Sequence, residues 1–146
     1  MTAPHPISDV LLAQVYAHAR ATFPAECCGY LTATSIVRCR NAQGDGEHPL
    51  VPARGDDTGF VIAGAELLAF ARAFDAAEPP LVVYHSHTNG RAYFSTVDQA
   101  MAEGPAYAVQ HLVVGLTAAG LTEAAQFAWS AAERAYVEIA RWRLAP

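Results

Sequence analysis

The sequence predicts a mixed α/β domain, and three observations carry that reading: a length suited to one core, two segments with helical apolar spacing, and several apolar runs of strand length. At 146 residues the chain has the commonest size for one domain and can bury roughly two thirds of its unfolded surface. No internal repeat or domain-splitting linker interrupts it, so residues 1–146 are read as one domain.

The elements follow in order. Residues 8–22 gather Val10, Leu11, Val15 and Ala19 on one helical face, with Ser8 as N-cap and Pro24 just past the end. His18 lies beside that stripe and reads as a packed or surface residue. Residues 28–33 and 35–40 read as short strands joined in a hairpin across Ala33-Thr34, leaving Glu26 at the mouth of the first. Residues 41–58 hold Gly, Pro, Asp and Asn without periodicity and predict a long loop, a binding loop or lid, in which His48 is solvent-exposed. Residues 64–76 repeat apolar side chains at Leu67, Leu68, Phe70, Ala71 and Phe74, a second helix that Pro79-Pro80 closes. Leu81-Val82-Val83-Tyr84 is a strand running into His85-Ser86-His87-Thr88-Asn89-Gly90, where Gly90 marks a turn. Ser95 then stands as N-cap of a helix, with Asp98 at capping-box spacing. Residues 109–116 predict another strand, with His111 as a sheet or surface histidine. The alanine-rich tail supports either a helix over 124–140 or two antiparallel strands, 126–130 and 136–143, joined around Ala132-Glu133.

Composition narrows the function classes. The longest apolar runs have strand length, far short of the roughly 18 residues of a membrane span. The first ten residues carry no secretory pattern, which places the protein in the cytoplasm. Nine basic against fourteen acidic residues give a formal charge of −5, which opposes nucleic-acid binding. The densest positive segment, Arg141-Trp142-Arg143, reads as the solvated side of a terminal strand. Cys27, Cys28 and Cys39 form neither a disulfide framework nor a thiolate metal site and read as buried thiols, with Cys28 as a nucleophile the minor alternative.

The chemistry concentrates around residue 85. On an extended chain residues two apart share a face, so His85 and His87 can reach one ion. Asp98, eleven residues after His87, supplies a third N/O ligand of the kind catalytic zinc takes, leaving a position for water. Two imidazoles disfavour calcium or magnesium, whereas an iron(II) facial triad uses the same ligand types and competes on chemistry alone. A chain with six histidines can produce H-x-H by chance; the preceding strand, the turn and the upstream Glu26 make the set more specific.

These residues resemble the JAMM (JAB/MPN-type) metalloprotease signature: a glutamate ahead of a strand, then H-x-H, seven residues, a serine, two residues and an aspartate. Here it runs as Glu26, His85-Ser86-His87, the spacer Thr88 to Phe94, Ser95, Thr96-Val97 and Asp98, and the likeness extends over residues 8–116. The resemblance implies a cytidine-deaminase-like arrangement, a central, mostly antiparallel curved sheet flanked by helices. It implies one Zn²⁺ per chain held by His85, His87 and Asp98, Glu26 as general base and acid, and Ser95 as donor to the oxygen of a tetrahedral intermediate. The implied substrate is a ubiquitin-like or sulfur-carrier protein with a C-terminal Gly-Gly tail, cut after the terminal glycine, the 41–58 loop forming part of the groove; a homodimer is left open. The rival readings are a non-catalytic scaffold of the same fold and a zinc amidohydrolase of a small substrate. Thr88 and Phe94 stand where the family usually has prolines, which implies a freer loop and bears on substrate fit. Cys27 and Cys28, directly after Glu26, are placed to neighbour the site.

Overall fold

A computed structural model of the chain describes residues 2–41, 62, 64–103 and 107–146. The elements are α1 (Asp9–Thr22), β1 (Cys28–Leu31), β2 (Ile36–Cys39), α2 (Gly64–Ala73), β3 (Val82–His87), α3 (Thr96–Glu103), β4 (Gln110–Thr117), β5 (Gly120–Ser130) and β6 (Ala135–Arg143). The strands form one sheet in the order β2-β1-β3-β4-β5-β6. Every neighbouring pair is antiparallel except β3 and β4. A parallel pair needs a crossover, and here it carries α3. The expected mixed α/β class with a mostly antiparallel sheet is therefore what the chain forms.

Ser8 caps α1 by accepting from the Leu11 amide at 3.2 Å, and Asp9 in the first turn suits the helix dipole. Leu11, Val15 and Ala19 are the buried stripe; Val10 turns to solvent instead of joining it. Val15 and Ala19 pack on the sheet face made by Val82, Tyr84, Leu112, Val114 and Ala124. His18 is partly buried there, its Nδ1 2.6 Å from the Tyr84 hydroxyl. The Tyr84 ring in turn lies over Gly29, where a Cβ would come 2.6 Å from its Cε2 and hydroxyl, so the glycine of the Cys28-Gly29-Tyr30 strand is a packing requirement.

The opposite face carries α2 and α3. Phe70 of α2 meets Tyr30, Phe74 and Tyr107 with ring centroids 4.8–5.2 Å apart. Leu67 and Leu68 are exposed and α2 ends at Ala73, shorter than its apolar pattern suggested. Ala92, Val113, Ala125, Phe127 and Tyr136 form the cluster beneath α3 and the loop before it.

Two ambiguities resolve on physical grounds. The β1–β2 hairpin turns at the expected residues, the Thr32 amide donating to the Ser35 carbonyl at 2.9 Å. The tail is two strands, and the first begins at Gly120, earlier than its alternation signalled. Ala124 and Ala125 are wholly buried on opposite faces of a central strand, where small side chains fit and intrinsic helix propensity is overridden. The 41–58 loop, with His48 and the groove assigned to it, lies outside the described residues except for Asn41.

Candidate metal centre

His85 and His87 lie within β3, whose six residues are all buried, and not past its end. Both point to the α3 face, as the period of a strand requires. The turn after β3 uses Gly90 at φ 80°, and its amide donates to the Leu116 carbonyl at 3.1 Å. The loop then passes over Gly115 of β4, where a Cβ would stand 2.8 Å from the Gly90 carbonyl carbon. α3 starts with a reciprocal cap: the Ser95 amide donates to Asp98 Oδ2 at 3.0 Å and the Asp98 amide donates to Ser95 Oγ at 3.0 Å. That cap aims the aspartate back at β3.

The three side chains converge on one point. The two Nε2 atoms are 3.1 Å apart, and each is 3.2 Å from Asp98 Oδ2. As hydrogen bonds alone this triangle is frustrated, because every distribution of protons over the two rings leaves one pair facing like to like. A cation at its centre removes the conflict. Tetrahedral zinc with bonds of about 2.0–2.1 Å separates its ligand atoms by about 3.3–3.4 Å, close to the edges observed here. Among the described residues, these three are the group of His, Cys, Asp and Glu side chains able to hold a metal.

Charge states suit that role. Burial alone would raise the Asp98 carboxyl, but the two imidazoles outweigh it and hold it well below the usual carboxylate range. For His85, wholly enclosed, burial outweighs the attraction of Asp98 and lowers the pKa, so its ring stays neutral. For His87 burial opposes protonation, but Asp98, helped by Glu26, prevails and raises the pKa, so a metal ion would bind here by displacing a proton. His87 Nδ1 lies 3.2 Å from the Arg91 carbonyl, an N–H donation that directs the Nε2 lone pair inward.

Glu26 is buried and is not one of the three converging groups. The register that pairs Cys28 with His85 continues as the Ser86 amide donates to the Cys27 carbonyl at 3.1 Å, which brings Glu26 alongside His87. Two residues that sequence reasoning missed fix this entry. Ser86 Oγ accepts from the Cys27 amide at 2.8 Å, and Asn41 Nδ2 donates to the Glu26 carbonyl at 2.9 Å. A small polar residue between two ligands was the available signal for Ser86; nothing in the sequence marked Asn41.

The cysteines are buried thiols, as expected. Burial pushes Cys27 up to about 11, Cys39 to about 12 and Cys28 higher still, which disfavours a thiolate nucleophile. Cys28 pairs across the sheet with His85 on the metal face, while the Cys27 amide is held by Ser86. His111 is a sheet histidine, wholly built into this wall: its ring centroid is 4.9 Å from those of Phe94 and Tyr136, and burial lowers its pKa to about 3.

Fold and site together describe an α/β protein with a two-histidine, one-carboxylate centre at the carboxyl end of a strand. The chain matches the prokaryotic homologs of the JAB domain over residues 8–133 and belongs to that family. It is similar to the CysO-cysteine peptidases of Mycobacterium tuberculosis and Mycobacterium bovis, 35% identical over 99 residues that make up 67% of this chain and 64% of theirs. The match thus spans less than two thirds of the length of those relatives. Among solved structures, a solution structure from Desulfitobacterium hafniense aligns with a TM-score of 0.57 at 21% identity, covering 90% of this chain and 86% of that one. Another, from Salinibacter ruber, gives 0.54 at 18% identity with the same coverage. Both share the fold.

Proposed function

We propose that this protein is a zinc metallopeptidase of the JAMM type that hydrolyses the peptide or isopeptide bond after the C-terminal glycine of a ubiquitin-like sulfur-carrier protein. The observation that carries this reading is the frustrated triangle of His85, His87 and Asp98, with the buried Glu26 carboxylate beside it and outside the ligand set. Membership of the JAB-domain family and the similarity to CysO-cysteine peptidases supply the substrate class.

When bound, Zn²⁺ acidifies a water molecule and polarises the scissile carbonyl. Glu26 takes the proton of the attacking water and delivers it to the leaving amine, a task open to a carboxylate not spent as a ligand. Ser95 has the remaining role. Its Oγ already accepts from the Asp98 amide, so the hydroxyl hydrogen is available to donate to the oxygen of the tetrahedral intermediate. Residues 1–146 act as one domain in this reading, in the cytoplasm; among the described residues no helix is long and apolar enough to cross a membrane.

The test is mass spectrometry of a panel of diglycine-ended carrier proteins extended by one C-terminal amino acid, incubated with the protein with and without a zinc chelator. Chelator-sensitive loss of the added residue is expected. Absence of any zinc-dependent cleavage would favour a non-catalytic scaffold.

A further inference from the structure

We infer that Arg141, on the edge strand β6, is a positioning residue for the metal centre, acting through the backbone of Ala92 on His87. This rests on the proposed metal site. The sheet register sets the geometry. His85, Val113, Ala125 and Arg141 lie in one cross-strand row, and His87, Gly115, Glu123 and Arg143 in the next. Glu123 is therefore two strands from His87, and the glycine between them leaves the space through which the Gly90–Arg91 backbone crosses the sheet.

Beyond that crossing both backbone groups of Ala92, a wholly buried residue, are taken by the Glu123–Arg141 pair. The Ala92 amide donates to Glu123 Oε2 at 2.8 Å, and Arg141 Nη2 donates to the Ala92 carbonyl at 2.6 Å. Arg141 Nη1 closes the ring on Glu123 Oε2 at 2.7 Å, while Glu138 Oε1 accepts from Nη2 at 2.6 Å. The peptide immediately before Ala92 contains the Arg91 carbonyl, the partner of His87 Nδ1. The fork of Arg141 thus fixes the acceptor that orients a metal ligand. Charge-assisted, forked hydrogen bonds are geometrically demanding, which is why arginine and not lysine suits the position.

The sign of the effect separates positioning from electrostatics. Removing a positive charge near a cation site should tighten cation binding by Coulomb's law, whereas loosening the partner of a ligand should weaken it. The experiment measures zinc affinity by competition with a chromophoric chelator for the parent, R141Q, R141K and R143Q, with apo melting curves for each. R141Q is expected to bind zinc about 10- to 100-fold more weakly, the range for lost ligand-orienting partners. R141K, with the charge kept and the fork lost, should fall between, and R143Q, which removes the same charge two residues away, should stay within about twofold of the parent. The ion pairs of Arg141 are partly exposed and add little stability, but R141Q also takes the donor from the buried Ala92 carbonyl, so its apo melting point should fall by a few degrees while R143Q melts like the parent. If R141Q does not fold, R141K against R143Q carries the comparison. Parental affinity in both Arg141 variants, or an equal loss in R143Q, would overturn the inference and leave the metal site standing; a parent that binds no zinc would remove both.

Discussion

His111 makes the stability of this protein depend on pH in a way that can be worked out in advance. The ring is buried beside Phe94 and Tyr136, its Nδ1 has no hydrogen-bond partner among the described residues, and its pKa is lowered to about 3, by burial first and then by His85, with Asp98 opposing. In the unfolded chain it titrates near about 6.5. Between those values the unfolded state holds a proton that the folded state does not, so stability rises with pH across that window and is lost as pH falls below about 6.5. One proton corresponds to about 1.4 kcal/mol per pH unit, and the full window to about 4–5 kcal/mol, a large part of the 5–15 kcal/mol typical of a domain. His111→Phe keeps an aromatic ring in the same box and removes the titration. Urea unfolding of parent and variant from pH 7.5 to 4.5, with chelator present so that metal release does not contribute, gives the difference directly. The parent should lose stability relative to the variant by about 1 kcal/mol per unit below pH 6, with no pH-dependent difference above pH 7. Parallel curves over the whole range would refute the assignment of a buried neutral histidine.

Two further outcomes follow from the packing and the cap. Gly29→Ala would drive a methyl group into the buried Tyr84 ring and the Val37 carbonyl, and should destabilise by about 3 kcal/mol or more; combining it with Tyr84→Leu should recover part of the loss, and additive costs in that cycle would count against the contact. Ser95→Ala should lower turnover by about 10²–10³, while zinc affinity and melting change only by the roughly 1 kcal/mol of a lost N-cap, measured by steady-state kinetics beside chelator competition. Zinc loss as the main defect would make Ser95 a structural cap alone.

Much of the site was legible because its chemistry is encoded locally. The i, i+2 histidines on an apolar strand and the Ser95–Asp98 cap spacing each specify a direction for the side chains, and the structure brings all three ligand atoms together on those directions. Glu26 could be placed at a strand mouth, but its position alongside His87 depends on the β1–β3 register, which only tertiary pairing defines. The same holds for Ser86, Asn41 and the Glu123–Arg141 pair, whose partners lie 15 to 59 residues away in the chain. Periodicity misled where alanine blurred it: α2 ends early and Val10 faces solvent; of the two readings open for the tail the strands hold, and in β5 the burial of Ala124 and Ala125 on opposite faces overrides helix propensity.

In the proposed reading His85, His87 and Asp98 hold one zinc while Glu26, outside the ligand set, moves protons. This division of roles is tested most directly by Glu26→Gln, with zinc per chain counted by native mass spectrometry and turnover followed on a carrier that the parent cleaves. Both proteins should carry one zinc per chain, and the variant should turn over at least about 10²-fold more slowly, as expected for loss of a general base. A variant that cleaves at the parental rate, or that loses its zinc, would contradict the account.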